Sequence, residues 1–475
     1  MEGLEMRNLA ILTCIALIFA ACAIGPDYRR PTISTPQAWR IEEKEAVDVA
    51  NAAWWEQFDD PVLNDLMAVA LRENKDLKIA AARVEEYVGR YWAGRSQLFP
   101  QIYGSGSGER QRSTERGPTP VPSYVDNPYT IYQGALSGSW EIDVWGRLRR
   151  LNEAARADLL STEEGRRSVI LTLVASVANS YISLRDLDKQ LVIARQTAKS
   201  REDSYDLFKI RFEGGVISEL ELSQIRSEYE LAASKIPSIE KLIAFQENAL
   251  SLLLGKNPGP ISRGKTIDEL ALPSIPAGLP SALLERRPDV RQAEQDLIAA
   301  NARMGAAKSL FFPTISLTGI FGWSSTDLSM LFSGPSQTWN WAGTFTAPIF
   351  TGGSILGNYK ATQAFREQAL LRYEKAIQNA FREVDDALVD QKRTREQLLS
   401  QQRQVEALRD YAGIARLRYE NGYTSYIEVL DAERSLFNAE LSYTETQGAL
   451  FQAIVDLYKA MGGGWVLAAE EKSGR

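Results

Sequence analysis

Residues 338–350 read TWNWAGTFTAPIF, and the alternation in this stretch decides the fold. In an extended chain, one face carries the apolar residues Trp339, Trp341, Gly343, Phe345 and Ala347. The other face carries mainly polar residues, namely Asn340, Thr344 and Thr346. About ten alternating residues with aromatic side chains near the ends are typical of a transmembrane β-strand. A soluble antiparallel sheet with one wet face has the same period, so this pattern alone leaves that alternative open.

Three other stretches alternate in a similar way: residues 314–323, residues 131–144 and, most weakly because it is rich in glycine and serine, residues 101–110. In a bilayer every backbone polar group must be paired, so a membrane sheet has to close into a barrel. The smallest membrane barrels have about eight strands, which a chain with four strands cannot form alone. A conducting pore favours three or more copies, because the smallest barrels are filled by side chains.

The sequence also contains a tandem internal repeat. Residues 74–106 align with 287–319, so that Phe99-Pro100 falls on Phe312-Pro313. Further along, the segments RFEGG (211–215) and RYENG (418–422) correspond. We therefore predict the following division: a first structural repeat at 62–255, an inter-repeat linker rich in proline and glycine at 256–280, a second structural repeat at 281–463, and a C-terminal tail at 464–475.

Each repeat has the same predicted order of elements. A helix (62–97 or 288–310) ends at the Phe-Pro pair, because proline cannot continue a helix and disfavours helical geometry in the residue before it. Two strands and a very long helical region follow, and the helical region breaks near Gly214-Gly215 or Asn421-Gly422. A last helix then returns.

The long helical regions predict an elongated bundle. In residues 361–420 the apolar side chains are spaced three and four apart, as in helices that pack along one another. A helix of about 60 residues is roughly 90 Å long, far longer than a globular helix. Gln391 and Arg395 interrupt the apolar seam, which we interpret as a solvated face or a slight change of period.

The N-terminus resembles a secretion signal. Residues 9–21 (LAILTCIALIFAA) form an apolar run that is too short to cross a bilayer and suits a signal peptide. Glu2 and Glu5 are unusual at the basic start of such a peptide, so the sequence favours Met6 over Met1 as the true start. We predict a lipoprotein signal peptide at residues 1–21.

Cys22 is the candidate for lipid attachment. Phe19-Ala20-Ala21-Cys22 resembles a bacterial lipobox, with Phe19 in place of the usual leucine. Acyl chains on Cys22 would anchor the N-terminal segment 22–61 in outer-membrane lipid. The alternative is an ordinary signal-peptide cleavage site that has a cysteine nearby by chance. Cys14 is the only other cysteine, so the mature chain has no cysteine pair for a disulfide.

The composition argues against several classes of protein. The net charge is −7 and no run of five basic residues occurs, which argues against nucleic acid as a partner. Histidine is absent, which removes the commonest general base and metal ligand. The sequence has no phosphate-binding loop, nucleophile motif or zinc-ligand spacing. We therefore expect neither an enzyme nor a cofactor.

Long segments of the chain resemble the TolC-like outer-membrane factors. The segments that carry this resemblance are ERRPDVRQAEQDL (285–297) and RYENGYTSYIEVLDAERSLFNAE (418–440). CAIGPDYRRP (22–31) and SWEIDVWGRLRR (139–150) resemble the lipoprotein branch, the OprM/NodT-like channels. The resemblance extends from Cys22 to about Trp465.

This resemblance implies an α+β membrane protein that forms a homotrimer. Four strands from each subunit would complete a β-barrel in the bacterial outer membrane, and the helices would continue it as an α-helical barrel in the periplasm. The implied partners are a periplasmic adaptor protein and an inner-membrane pump of the RND type, and the implied cargo is drugs or other small molecules. A duct for metal-ion efflux or for protein secretion stays open as an alternative, and so does a periplasmic coiled-coil protein without a pore.

The resemblance also implies a periplasmic gate at the second helix-to-helix turn. Asp431 matches the gate aspartate of the family, Glu428 a second acidic position, Ile427 an apolar constriction and Tyr419 a tyrosine of the closed-state network. Glu221 takes the place of an acidic partner in the first repeat. Thr424 stands where TolC itself has an arginine, so we expect that link to be absent.

Elementary chemistry supports a gate at this place. Glu428 and Asp431 are three positions apart, so they share a helix face, and symmetry would turn each into a ring of carboxylates. Such rings select charge in channels, and an apolar ring from Ile427 could close by dewetting. The alternative is that these acids are ordinary solvated residues of a helix.

Overall fold

The computed structural model describes residues 23–32, 39, 53–117, 126–274 and 283–462. The predicted signal peptide, the acylated Cys22 and the tail at 464–475 lie outside these residues, as does part of the predicted linker. Within the described residues the chain is mostly helical and forms one sheet of four antiparallel strands.

The first half of the chain contributes four helices and two strands, namely α1 (Pro61–Glu73), α2 (Lys75–Ser96), β1 (Gln101–Gln111), β2 (Tyr129–Ile142), α3 (Arg147–Glu213) and α4 (Glu219–Leu253). The second half contributes a short helix α5 (Leu283–Arg286) followed by α6 (Pro288–Ser309), β3 (Thr314–Ser325), β4 (Gln337–Thr346), α7 (Ser354–Glu420) and α8 (Tyr426–Ala460). The corresponding helices have equal lengths: α2 and α6 each have 22 residues, α3 and α7 have 67, and α4 and α8 have 35.

The strands pair in the order β1-β2-β3-β4, and every neighbouring pair is antiparallel. β4 ends at Thr346, four residues before the predicted end of the alternating stretch. Pro348 explains the early end, because proline has no N–H to donate to a ladder of strand hydrogen bonds. β2 ends at Ile142 rather than at residue 144, since the carboxylate of Asp143 accepts hydrogen bonds from the N–H groups of Leu148 and Arg149 at the start of α3.

The predicted first helix at 62–97 is wrong in one respect, since it is broken into α1 and α2 at Asn74. The Asn74 side chain accepts a hydrogen bond from the N–H of Leu77 at 2.9 Å, as a residue that caps a helix start does. Its amide also donates to the carbonyl of Leu253 at 2.9 Å. A tertiary contact therefore stabilises the break, and the local sequence does not reveal it.

The chain divides into two compact units. The strand unit contains the described residues of 1–32, 84–162 and 293–373, and therefore all four strands. The helical unit contains the described residues of 33–83, 163–292 and 374–475. Both predicted turns between long helices belong to the helical unit.

The core of the helical unit includes the residues directly before α1. The ring of Trp54 stacks on Tyr458 with the ring centres 5.0 Å apart, and both side chains are fully buried. The carboxylate of Asp60, also fully buried, accepts hydrogen bonds from the Tyr181 hydroxyl at 2.7 Å and from the N–H of Lys265 at 3.0 Å. Asp60 thereby fixes α1 against α3 and the segment after α4.

Gln391 corrects the expectation of a solvated face along α7. Its exposure is 0 %, and neither polar atom of its amide has a hydrogen-bond partner among the described residues. The spacing of apolar residues was therefore interrupted by a buried polar side chain and not by a surface one at this position. Arg395 is partly exposed.

Candidate functional site: the helix turns

Two turns in the helical unit, one from α3 to α4 and one from α7 to α8, follow the same backbone path. Gly215 in the first has a φ of +73° and Gly422 in the second a φ of +76°. Glycine adopts this left-handed region without the steric cost that a Cβ would bring. Each turn then reaches a serine with extended backbone, Ser218 or Ser425, directly before the next helix.

Glu428, in the first turn of α8, is held by two groups on the other side of its turn. Nη1 of Arg418, near the end of α7, donates to its Oε1 at 3.0 Å. The hydroxyl of Thr424 donates to its Oε2. Thr424 therefore contributes a hydroxyl where TolC itself is expected to have an arginine.

Asp431 has a cationic partner of its own on α8. Nη2 of Arg434 donates to the Asp431 carboxylate at 2.5 Å, one helical turn further along. Close by in the sequence, the Arg416 guanidinium donates to Glu433, and this hydrogen bond raises the pKa of Arg416. Each predicted gate acid is thus partly neutralised by an arginine of the same chain, and the gate region carries arginines as well as carboxylates.

Tyr419 lies in an aromatic cluster that joins the two turns. Its hydroxyl accepts a hydrogen bond from Nη1 of Arg211 at 2.8 Å. Its ring centre is 4.9 Å from that of Tyr426 and 6.2 Å from that of Phe208. Burial raises the pKa of the Tyr426 hydroxyl, which therefore stays protonated at neutral pH. The cluster ties the end of α3 to the end of α7 and the start of α8.

Ile427 points out of this core, with 57 % of its surface exposed. Three other large apolar side chains of the two turns are exposed as well: Val216, Leu220 and Tyr423. Large exposed apolar side chains grouped in one part of a protein often mark a surface that contacts a partner. Ile427 is therefore available to an apolar constriction formed between copies of the chain.

Glu221 has a local role in the structure. Its N–H donates to the hydroxyl of Ser218 at 3.3 Å, and its carboxylate accepts from the N–H of Ser218 at 2.9 Å. This reciprocal pair is a capping box, which stabilises the start of α4. Its role as an acidic partner in a gate stays a prediction.

The sequence reasoning missed the three arginines that bind the predicted site residues. Arg211 binds Tyr419, Arg418 binds Glu428, and Arg434 binds Asp431. A signal was present for two of them, because Arg211 and Arg418 begin the corresponding segments RFEGG and RYENG.

The residues that follow Cys22 are fixed within the strand unit. The N–H of Ile24 donates to the carbonyl of Trp145 at 2.9 Å, next to the start of α3. The Asp27 carboxylate accepts from Nη2 of Arg150 at 2.6 Å. A Cβ on Gly25 would lie 2.6 Å from the Cα of Gly305, so only glycine allows this close approach to α6. Cys22 itself lies outside the described residues.

Comparison with known proteins identifies the family. The model of the family described as outer membrane efflux protein matches residues 66–256 and 279–463. The probable efflux pump outer membrane protein TtgC of Pseudomonas putida is 37 % identical over 466 residues, which cover 97 % of this chain and 96 % of TtgC. The cation efflux system protein CusC of Escherichia coli strain K12 is 36 % identical over 457 residues, which cover 95 % of this chain and 98 % of CusC.

A solved structure with the same fold is the outer membrane channel CmeC of Campylobacter jejuni. It superposes with a TM-score of 0.89 and 27 % identity, and the match covers 95 % of this chain and 98 % of CmeC. Both the sequence relatives and the fold thus agree with the resemblance of the segments at 285–297 and 418–440. The chain belongs to the outer membrane efflux protein family, the TolC-like outer-membrane factors.

Proposed function

We propose that this protein is the outer-membrane channel subunit of a tripartite efflux pump, through which small molecules pass from a periplasmic adaptor and an inner-membrane pump to the exterior. The observation that carries the proposal is the four-stranded antiparallel sheet combined with helices of 67 residues. Membership of the outer membrane efflux protein family supports the location and the channel function. The duct is passive, and the energy for transport comes from the pump.

The sheet supports a barrel shared between copies of the chain. β1 and β4 lie at the two ends of the strand order, so each leaves one edge unpaired among the described residues. Every residue of β4 is exposed, including Trp341 with 76 % of its surface. Open edges and exposed tryptophans are costly in a single chain, and closing the sheet in a bilayer satisfies both. Three copies would give a twelve-stranded barrel, wide enough to conduct.

We further propose that the chain is a tandem duplication with the predicted boundaries. The equal lengths of the corresponding helices and the two separate matches of the family model support this division. The N-terminal anchor rests on the lipobox-like sequence at Cys22 and on residues 23–32, whose contacts hold the chain directly after Cys22 near the start of α3. Mass spectrometry of the purified mature protein would show the acyl chains, and a Cys22→Ser variant is the control.

The cargo is proposed as drugs or other small organic molecules, with metal ions as the second candidate. The likeness to TtgC, a probable efflux pump protein, favours the first, and the likeness to CusC, of a cation efflux system, favours the second. Complementation of a strain that lacks its own outer-membrane factors separates them. Restored growth on antibiotics or solvents supports the first candidate, and restored growth on copper or silver salts supports the second.

We propose the second helix turn as the periplasmic gate, with Ile427, Glu428, Asp431 and Tyr419 as its residues and Glu221 as a partner from the first turn. The ion pairs of Glu428 and Asp431 support a closed arrangement held within each subunit. Replacing Asp431 with alanine removes the partner of Arg434 and should loosen the turn.

In planar bilayers, Asp431→Ala should raise the single-channel conductance severalfold, and cells that carry it should take up large antibiotics such as vancomycin. Asp410→Ala, which removes an exposed carboxylate elsewhere on α7, is the matched control and should change neither value. Unchanged conductance and uptake in Asp431→Ala would count against the gate. A protein that forms no channel at all in the bilayer would instead support a coiled-coil protein without a pore.

A further inference from the structure

Asp431 is connected through Arg434 to a carboxylate on the other half of the chain. Besides its contact with Asp431, Arg434 on α8 approaches Glu228 on α4, with Nη1 3.7 Å from Oε1. Glu228 thus belongs to the first half of the chain, and Asp431 and Arg434 to the second. No family resemblance stated above assigns a role to Glu228.

Glu228 is in turn held by a buried arginine on α3. Nη1 of Arg201 donates to the backbone carbonyl of Glu228 at 2.7 Å and lies 3.0 Å from its carboxylate. Only 3 % of the surface of Arg201 is exposed, and its guanidinium lies over the ring of Phe437 on α8, 5.4 Å from the ring centre. Burial lowers the pKa of Arg201, and the nearby Glu228 carboxylate opposes this effect.

The burial of Arg201 fixes the position of Glu228. A buried charge is strongly unfavourable unless an opposite charge compensates it, so the Glu228 carboxylate is confined close to Arg201. Arg434 is 48 % exposed and long, and by itself it would adopt many rotamers. A fixed anion at Glu228 restricts it to the rotamers that also reach Asp431.

We propose that Glu228 is a positioning residue of the gate: together with Arg201 it holds Arg434, and through Arg434 it ties Asp431 to the first half of the chain. This proposal rests on the gate proposed at the second turn. The chain of contacts runs from Arg201 through Glu228 and Arg434 to Asp431 and joins α3, α4 and α8. The position in the second repeat that corresponds to Glu228 is Ser435, so the connection is made from one side only.

The test compares single-channel conductance in planar bilayers for the full-length channel and its variants. Glu228→Gln should raise the conductance at least twofold, and Glu228→Asp should keep it within about 1.5-fold of the unaltered channel. Arg195→Gln, which breaks an exposed ion pair of Arg195 with Glu240 between the same two helices, is the matched control and should leave it unchanged.

A double-mutant comparison separates positioning from general damage. If Glu228 acts through Asp431, the double variant Glu228→Gln with Asp431→Asn should conduct no more than the stronger single variant. Multiplied effects of the two substitutions would overturn the proposal, because they would show that Glu228 acts independently of Asp431.

Glu228→Gln leaves the buried Arg201 without its counter-ion, so the variant could fail to fold. The double variant Arg201→Met with Glu228→Gln removes the charge together with its partner and keeps the test valid. It should raise the conductance as Glu228→Gln does, whereas unaltered conductance overturns the proposal. If Asp431→Asn alone leaves the conductance unchanged, the proposed gate fails and this inference fails with it. A change in Asp431→Asn without one in the Glu228 variants leaves the gate standing and overturns only the role of Glu228.

Discussion

The two helix turns share the pattern Ser-x-x-Glu but use the glutamate differently. In the first turn, Ser218 and Glu221 bond to each other's backbone N–H groups in a capping box. In the second, the Ser425 side chain makes no capping hydrogen bond among the described residues, and the Glu428 carboxylate binds Arg418 and Thr424 instead. The same local signature thus gives two structures.

The arginine that precedes each turn explains the difference. Arg211 and Arg418 occupy corresponding positions, but Arg211 donates to the Tyr419 hydroxyl, whereas Arg418 binds Glu428. A hydrogen bond between two charged groups is roughly twice as strong as one between neutral groups, so an arginine within reach draws the glutamate away from the cap. Where the arginine has another partner, the glutamate returns to the backbone.

The largest effect should come from the glycines that the turns have in common. Gly215→Val and Gly422→Val should each lower the free energy of unfolding by about 1–2 kcal/mol, because a side chain is disfavoured in the left-handed region. Denaturant unfolding of the channel in detergent measures this loss. Gly214→Ala is the control, since its Cβ meets only ordinary contacts of 3.5 Å or more. An equal loss in the control would show that backbone conformation is not the cause.

The serines should separate the two turns. Ser218→Ala removes a working cap and should cost about 1 kcal/mol of the free energy of unfolding, in the range seen for such caps. Ser425→Ala should cost less than half of that, because no capping bond is lost. Amide hydrogen exchange near the start of α4 and of α8 would locate the change, and equal losses in both variants would contradict the comparison.

The smallest effect should come from converting the second turn into a copy of the first. Arg418→Gln removes an exposed ion pair and should cost less than about 1 kcal/mol by itself. It also releases Glu428, which can then cap α8 with Ser425. Ser425→Ala should therefore cost about 0.5 kcal/mol more in the Arg418→Gln background than in the unaltered chain, measured as a double-mutant cycle. Strictly additive costs would mean that Arg418 does not compete with the cap.

Several elements followed directly from residue patterns. The alternation at 338–350 and in the three weaker stretches predicted four strands, and the Phe-Pro pairs predicted where the helices before β1 and β3 end. The glycines at 214–215 and 422 predicted the turns. These signals are local, because strand period, proline chemistry and a positive φ depend on a few neighbouring residues.

Other features could not be read in this way. The break at Asn74 depends on the carbonyl of Leu253, and the burial of Gln391 depends on helices that pack over it. The partners of Glu428 and Asp431 among the arginines depend on which rotamers the folded helices allow. Each of these involves groups that are brought together by tertiary packing.

The sequence by itself therefore determined the four strands, the long helices, the two turns and, through resemblance, the family. It also placed the gate residues Ile427, Glu428 and Asp431 on one segment. Only the tertiary structure decided which charge compensates which, because a carboxylate with several arginines and backbone amides nearby in sequence binds the one that folding holds within about 3 Å. That choice distinguishes Glu428 from Glu221 and brings Glu228 into the proposed gate.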